Sequence, residues 1–156
     1  MGMRAMHDGP VAPQGWSRSP RGTSEVFVSN VIGVGPDGEY ALIGGQCAHC
    51  GRAMFPLRDM CMHCQAPDPD PMPLDGDGVV YSYTVIRQAA PGFSVPYVLA
   101  SVDLAAGVRI IGQVKAQPAD VTIGTAVQLK VEPIGEDSRG RRVIGYRFHV
   151  SEEGRA

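Results

Sequence analysis

The sequence predicts a mainly β protein in two parts, a small cysteine-clamped ribbon followed by a closed barrel of short strands. Three observations predict it. All four cysteines fall into two C-x-x-C pairs, Cys47/Cys50 and Cys61/Cys64, with ten residues between the pairs. Residues 75–150 carry apolar side chains at every second position in five runs divided by glycine turns. Glycine and proline are abundant, 20 and 13 of 156 residues, which favours turns and short strands over long helices.

In chain order, residues 1–24 read as a flexible arm. Pro10, Pro13 and Pro20 alternate with glycines, serines and arginines, and Trp16 is the one large apolar anchor. Such a composition buries too little surface to offset its ordering entropy. The sharper reading is a strap that orders on a partner through Trp16. Residues 25–43 read as a β-hairpin, with Gly35-Pro36-Asp37-Gly38 at its tip and Tyr40–Ile43 as the returning strand.

The two cysteine pairs follow. Four thiolates delivered from two tight knuckles suit a tetrahedral Zn²⁺. Gly51 can take the left-handed conformation that a knuckle needs. Iron in a rubredoxin-like site shares the geometry. Paired disulfides fit poorly without a secretory signal, and a thioredoxin-like redox site would need one pair near a βαβ unit. His49 and His63 are expected to be exposed knuckle residues, because four thiolates already complete the tetrahedron. A ribbon covering residues 25–66, with its hairpin, is too small for a core of its own, so metal binding would supply its folding free energy.

Residues 67–74 hold four alternating prolines and read as a stiff, extended linker. The barrel is expected over 75–150, with a short tail at 151–156. Its first run pairs Val79, Tyr81, Tyr83 and Val85 on one face, taken as the core face. Val98, Ala100, Val102 and Leu104 share the second; Val108, Ile110, Gly112 and Val114 the third. Val127, Leu129 and Val131 mark the fourth, and Ile144, Tyr146, Phe148 and Val150 the fifth. Five short strands without a helix suggest a five-stranded OB-fold barrel.

A ribbon and barrel in this order, with Gln46–Cys64, Gly76–Ile86, Pro96–Leu104, Gly107–Val114 and Ile123–Val127 as the matching runs, resembles the DUF35 family of zinc-ribbon OB-fold proteins. The similarity spans about residues 40–150. An amphipathic helix usually precedes the family's ribbon, whereas residues 25–43 read here as a hairpin. The resemblance implies a rubredoxin-like ribbon with structural Zn²⁺. It also implies a partner role in acyl-CoA metabolism, as the small subunit of a thiolase-like or acyltransferase-type hetero-oligomer. Aldolases and MaoC-type hydratases are the alternative partners, and CoA or acyl-CoA would be the shared substrate.

The residues themselves argue against catalysis by this chain alone. Thiolase chemistry needs a free thiolate and a histidine base, but the metal takes every cysteine. His7 and His149 have no evident partner in sequence, and no nucleophile elbow or phosphate loop is present. Two regions are candidates for contact with substrate or CoA. One is the apolar loop 89–97 with Phe93 and Tyr97, which would otherwise fold on its own barrel. The other is the basic cluster of Arg139, Arg141, Arg142 and Arg147, where arginine suits phosphate and the plain alternative is a solvated charged face.

Charge excludes little but ranks the classes. The net charge is −2, and residues 70–150 hold eight basic and eight acidic side chains. A nucleic-acid-binding ribbon and barrel would call for a basic excess. No apolar run reaches the roughly 18–20 residues of a membrane helix. Four cysteines in metal spacing without an export signal imply a reducing cytoplasm.

Overall fold

The computed structural model describes residues 12–20, 22–74 and 76–152. Ten strands follow in order: β1 (Glu25–Phe27), β2 (Ile32–Val34), β3 (Tyr40–Gln46), β4 (Ala53–Met54), β5 (Asp70–Pro73), β6 (Asp77–Ile86), β7 (Tyr97–Leu104), β8 (Arg109–Lys115), β9 (Ala126–Glu136) and β10 (Arg142–Val150). One 3-10 turn, Pro118–Asp120, links β8 to β9. Among the described residues no helix is long and apolar enough to cross a membrane.

The barrel closes through β8-β7-β6-β9-β10, with β10 returning to β8 as a parallel neighbour. This is the predicted five-stranded OB barrel. Closure leaves its interior to alternate side chains. Val98, Ala100, Val102, Val108, Ile110, Val114, Val127, Leu129, Ile144 and Phe148 are all buried. Phe148 needs Gly112 opposite it, because a Cβ there would sit 2.8 Å from the ring.

The first barrel strand departs from the expectation. Val80 is buried, while Val79, Tyr81 and Tyr83 are exposed. A bulge at Tyr81 divides the strand: Val79 faces out before it, whereas Tyr83 after it pairs with buried Ala100 on the core side. Val80 pairs with Val102 and Ser82 with Ser101, so Tyr81 has no opposite residue. One extra residue resets a period-2 pattern.

The hairpin forms between β2 and β3, around the turn at Gly35–Gly38. Residues 25–27 do not join it. Strand β1 runs parallel beside β10 instead, pairing Glu25 with Arg142 and Phe27 with Ile144. Nor are residues 70–73 an unpaired connection, because β5 pairs with β3. Pro71 and Pro73 are two apart, so both missing N–H groups fall on one side of an edge strand, where proline is tolerated.

The arm also makes contacts within the chain. Ser17 exchanges two backbone hydrogen bonds with Val34, at 2.9 and 2.7 Å. Trp16 lies over Gly33, where a Cβ would come 3.3 Å from its ring. Residues 1–11 and 21 of the expected arm lie outside the described residues, as do 153–156 of the expected tail. Ile32, Leu42 and Leu74 join the barrel side chains in one apolar core, so hairpin and barrel are packed together.

Candidate metal centre

Strand β3 carries the metal centre. β4 pairs with it through Gly45 and Gln46 on one side, and β5 through residues 43–46 on the other. β3 can approach this closely because of Gly44, where a Cβ would lie 2.6 Å from the Met54 carbonyl oxygen. The first knuckle bridges β3 to β4. The second is closed by an isolated pairing of Met60 with Pro67.

The knuckles repeat one backbone pattern. Cys47 donates its N–H to the Arg52 carbonyl at 2.9 Å, and Cys61 to that of Ala66 at 2.8 Å. Gly51 donates back to Cys47 at 2.8 Å, and Gln65 to Cys61 at 3.0 Å. Gly51 and Gln65 occupy equivalent places and both have positive φ, 76° and 64°. The left-handed requirement expected at Gly51 is thus met twice, once by a residue that has a side chain to strain.

The four sulfurs lie within 4.8 Å of one another. Cys47 Sγ is 3.6 Å from Cys64 Sγ, and Cys50 Sγ is 3.7 Å from Cys61 Sγ. Tetrahedral zinc at about 2.3 Å from each sulfur requires sulfurs about 3.8 Å apart, so the cluster fits the ion. Its electrostatics point the same way. The Cys64 N–H holds the Cys61 thiol down to about 6, with burial opposing. The Ala66 N–H favours the Cys64 thiolate, but burial and the other three sulfurs outweigh it and push Cys64 up to about 11. Four thiolates this close repel one another, and a bound dication removes that conflict. All four ligand positions are protein thiols, which makes a closed, structural centre. Buried Cys47, Cys61 and Met54 form the ribbon's own small cluster. His49 and His63 are exposed, as expected.

Other candidate residues lie on barrel connections. Phe93 and Tyr97 stand with ring centroids 6.3 Å apart, Phe93 being 61% exposed. Tyr97 also lines a cleft of about 950 Å³ with Ser94, Gln113, Lys115 and Asp120. The arginines sit in the β9–β10 turn and beside it. Asp137 organises that turn, accepting the N–H groups of Arg139 and Arg141, each at 2.9 Å, and the Arg141 side chain at 2.7 Å. Arg142 pairs with Glu25. Arg147 pairs with Glu132 at 2.7 Å. Arg139 has no carboxylate in ion-pair range among the described residues.

Two clusters escaped sequence reasoning. Glu25 accepts from Tyr40 at 2.6 Å as well as from Arg142. Asp103 holds Arg109 at 2.6 Å, and the guanidinium lies 3.5 Å over the Tyr81 ring. The second had a signal: Asp103 and Arg109 flank the short Ala105–Gly107 connection and face each other across it.

Comparison with known proteins matches both parts. Residues 37–70 match the family model of the ChsH2 rubredoxin-like zinc ribbon domain, and residues 72–132 that of the ChsH2 C-terminal OB-fold domain. A DUF35 domain-containing scaffold protein of Methanocaldococcus jannaschii is 40% identical over 114 residues, covering 70% of this chain and 81% of that protein. The chain belongs to the DUF35 family. A second relative of this DUF35 protein is the benzoylsuccinyl-CoA thiolase subunit BbsA of Geobacter metallireducens, 28% identical over 78% of this chain and 84% of that one. Among solved structures, an Ltp2-ChsH2(DUF35) aldolase superposes with a TM-score of 0.56 at 31% identity, covering 69% of this chain and 84% of that one. A probable enoyl-CoA hydratase alpha subunit of Thermomonospora curvata is 37% identical over 90 residues, which are 28% of its length.

Proposed function

We propose that this DUF35 protein is a non-catalytic, zinc-binding subunit that docks on and supports an acyl-CoA-processing enzyme of thiolase or acyltransferase type. The observation that carries this reading is the commitment of every thiol to the metal centre. Acyl transfer through a thioester needs a free thiolate nucleophile, and a chain whose four cysteines converge on one ion has none to offer. The nucleophile then belongs to another chain. The thiolase subunit among the relatives supports that partner class. The Phe93–Tyr97 loop would cover the acyl-CoA, and Arg139, the turn arginine without a carboxylate partner among the described residues, would meet a CoA phosphate. In this reading Arg141 and Arg142 shape the turn that presents Arg139.

A second reading keeps the subunit role and changes the partner to an aldolase or an enoyl-CoA hydratase. The aldolase structure and the hydratase alpha subunit among the similar proteins favour it. A nucleic-acid module is disfavoured by the balanced barrel charge and by Tyr81, whose ring is already covered by Arg109.

The test is purification of the tagged chain from its native host. An acyl-CoA enzyme should accompany it in fixed proportion, and acyl transfer by that enzyme should fall when the chain is removed. Recovery of a lone chain bound to nucleic acid would overturn the proposal.

A further inference from the structure

The outer face of β6, β7 and β8 carries apolar surface that the barrel does not use. Register fixes which side chains share it. Val79, Asp103 and Arg109 form one row, and Ser82, Ser101 and Ile111 the next. Their neighbours Val80, Val102 and Ile110 point into the core, so both rows face out. The bulge adds the Tyr81 ring to this face, beneath Arg109. Ile111 is 62% exposed, Tyr81 53% and Val79 47%. The solvated side of an antiparallel sheet is ordinarily polar, and exposed apolar side chains gathered in neighbouring rows of one face point to an interaction surface.

The charges on these rows cancel. Arg109 donates to Asp103 from Nε at 2.6 Å and from Nη2 at 3.1 Å. The pair is solvent-exposed and adds little stability by itself. Its effect is to fix Arg109 flat on Tyr81 and leave the two rows neutral.

We propose that this face is the docking surface for the acyl-CoA enzyme, meeting an apolar, uncharged patch on that subunit. The inference rests on the partner role proposed above. The occupant follows from charge and chemistry. A nucleic-acid backbone requires unmatched cations, and the one cation here is matched while the ring that would stack a base is covered. A strongly charged protein surface gains no complementarity from a neutral face. An apolar counter-surface gains by burying Val79, Tyr81 and Ile111 together. Tyrosine and arginine at the centre of such a patch are the residue types whose truncation costs interfaces most.

Photo-crosslinking in the native host tests this. p-Benzoylphenylalanine replaces Ile111 in one full-length chain and exposed Gln128 of β9 in another. The expected result is a crosslink from position 111, and none from position 128, to an acyl-CoA enzyme chain identified by mass spectrometry. Ile111→Glu, at an exposed site that tolerates charge, should cut recovery of that enzyme about tenfold or more with metal content unchanged. If the enzyme is recovered but crosslinks only at 128, or Ile111→Glu recovers it as well as the parent chain, this docking face is wrong while the partner role stands. If the parent chain recovers no acyl-CoA enzyme, both fail. A crosslink at 111 to a second copy of the chain would replace the proposal with self-association.

Discussion

Glu25 and Arg142, separated by 117 residues, form an ion pair where β1 lies parallel to β10. Tyr40 of β3 donates to the other Glu25 oxygen at 2.6 Å. One buried carboxylate therefore ties the hairpin that leads into the ribbon to the last strand of the barrel.

This arrangement predicts an acid-sensitive contribution to stability. The Tyr40 hydroxyl, opposed by burial and aided by Arg142, holds the Glu25 carboxyl below its ordinary value of 4.5. A lowered carboxylate stabilises the fold above its unfolded pKa and loses that effect as pH falls through the folded value. Glu25→Gln should cost about 1–2 kcal/mol at pH 7. The gap between parent and variant should narrow progressively as pH falls below the ordinary value of 4.5. Urea midpoints from pH 7 to pH 3 measure it, and a gap that widens in acid would contradict the assignment.

Metal removal should act unevenly on the two parts. The ribbon's own cluster is Cys47, Met54 and Cys61, two of which are metal ligands, whereas the barrel has a full core. A chelator, or Cys61→Ser, should abolish hydrogen-exchange protection at Gly44–Cys47 and leave Val98–Val102 protected. The parent chain should hold about one zinc. Full ribbon protection without metal would show that the thiols are not the ribbon's main support.

The paired left-handed positions give opposite expectations for reciprocal substitutions. Gly51→Ala places a Cβ at φ 76° and should cost about 1 kcal/mol. Gln65→Gly relieves the same strain at φ 64°, so its entropic cost is offset and stability should hold or rise by up to about 1 kcal/mol. Thermal midpoints of the zinc-loaded proteins compare them. Equal losses at both sites would mean that the Gln65 side chain makes a contact outweighing its backbone strain.

These local features explain why some of the molecule could be read from sequence. Knuckle spacing and the inward sets of β7 to β10 depend on neighbours within a few residues. Val98 to Leu104 alternate because the strand is regular. The alternation of β6 misleads because Tyr81 adds one unpaired residue, and a bulge carries no obligatory glycine or proline to announce it. β1 reads as part of the hairpin because its true neighbour lies at the other end of the chain. Strand β5 was hidden by prolines that only an edge position accommodates. The metal site was legible for the converse reason: C-x-x-C encodes its geometry locally, whereas Glu25, Tyr40 and Arg142 meet only after the barrel has closed.

The turn arginines supply a functional prediction that separates presentation from contact. Arg141 is held by Asp137 and Arg142 by Glu25, so a phosphate would have to compete with a carboxylate for either. Arg139 donates its backbone N–H to Asp137, and among the described residues no carboxylate pairs with its guanidinium. In the proposed complex, Arg139→Ala should raise the KM for acyl-CoA about tenfold with kcat nearly unchanged, the signature of lost uniform binding. Arg139→Lys should recover part of that loss through charge alone. Asp137→Ala should act through the turn, so it should lower stability as well as raise KM. Steady-state kinetics with acyl-CoA and with the same acyl group on pantetheine separate these effects. The Arg139→Ala defect should vanish with the phosphate-poor substrate, and an equal defect with both would remove Arg139 from phosphate recognition.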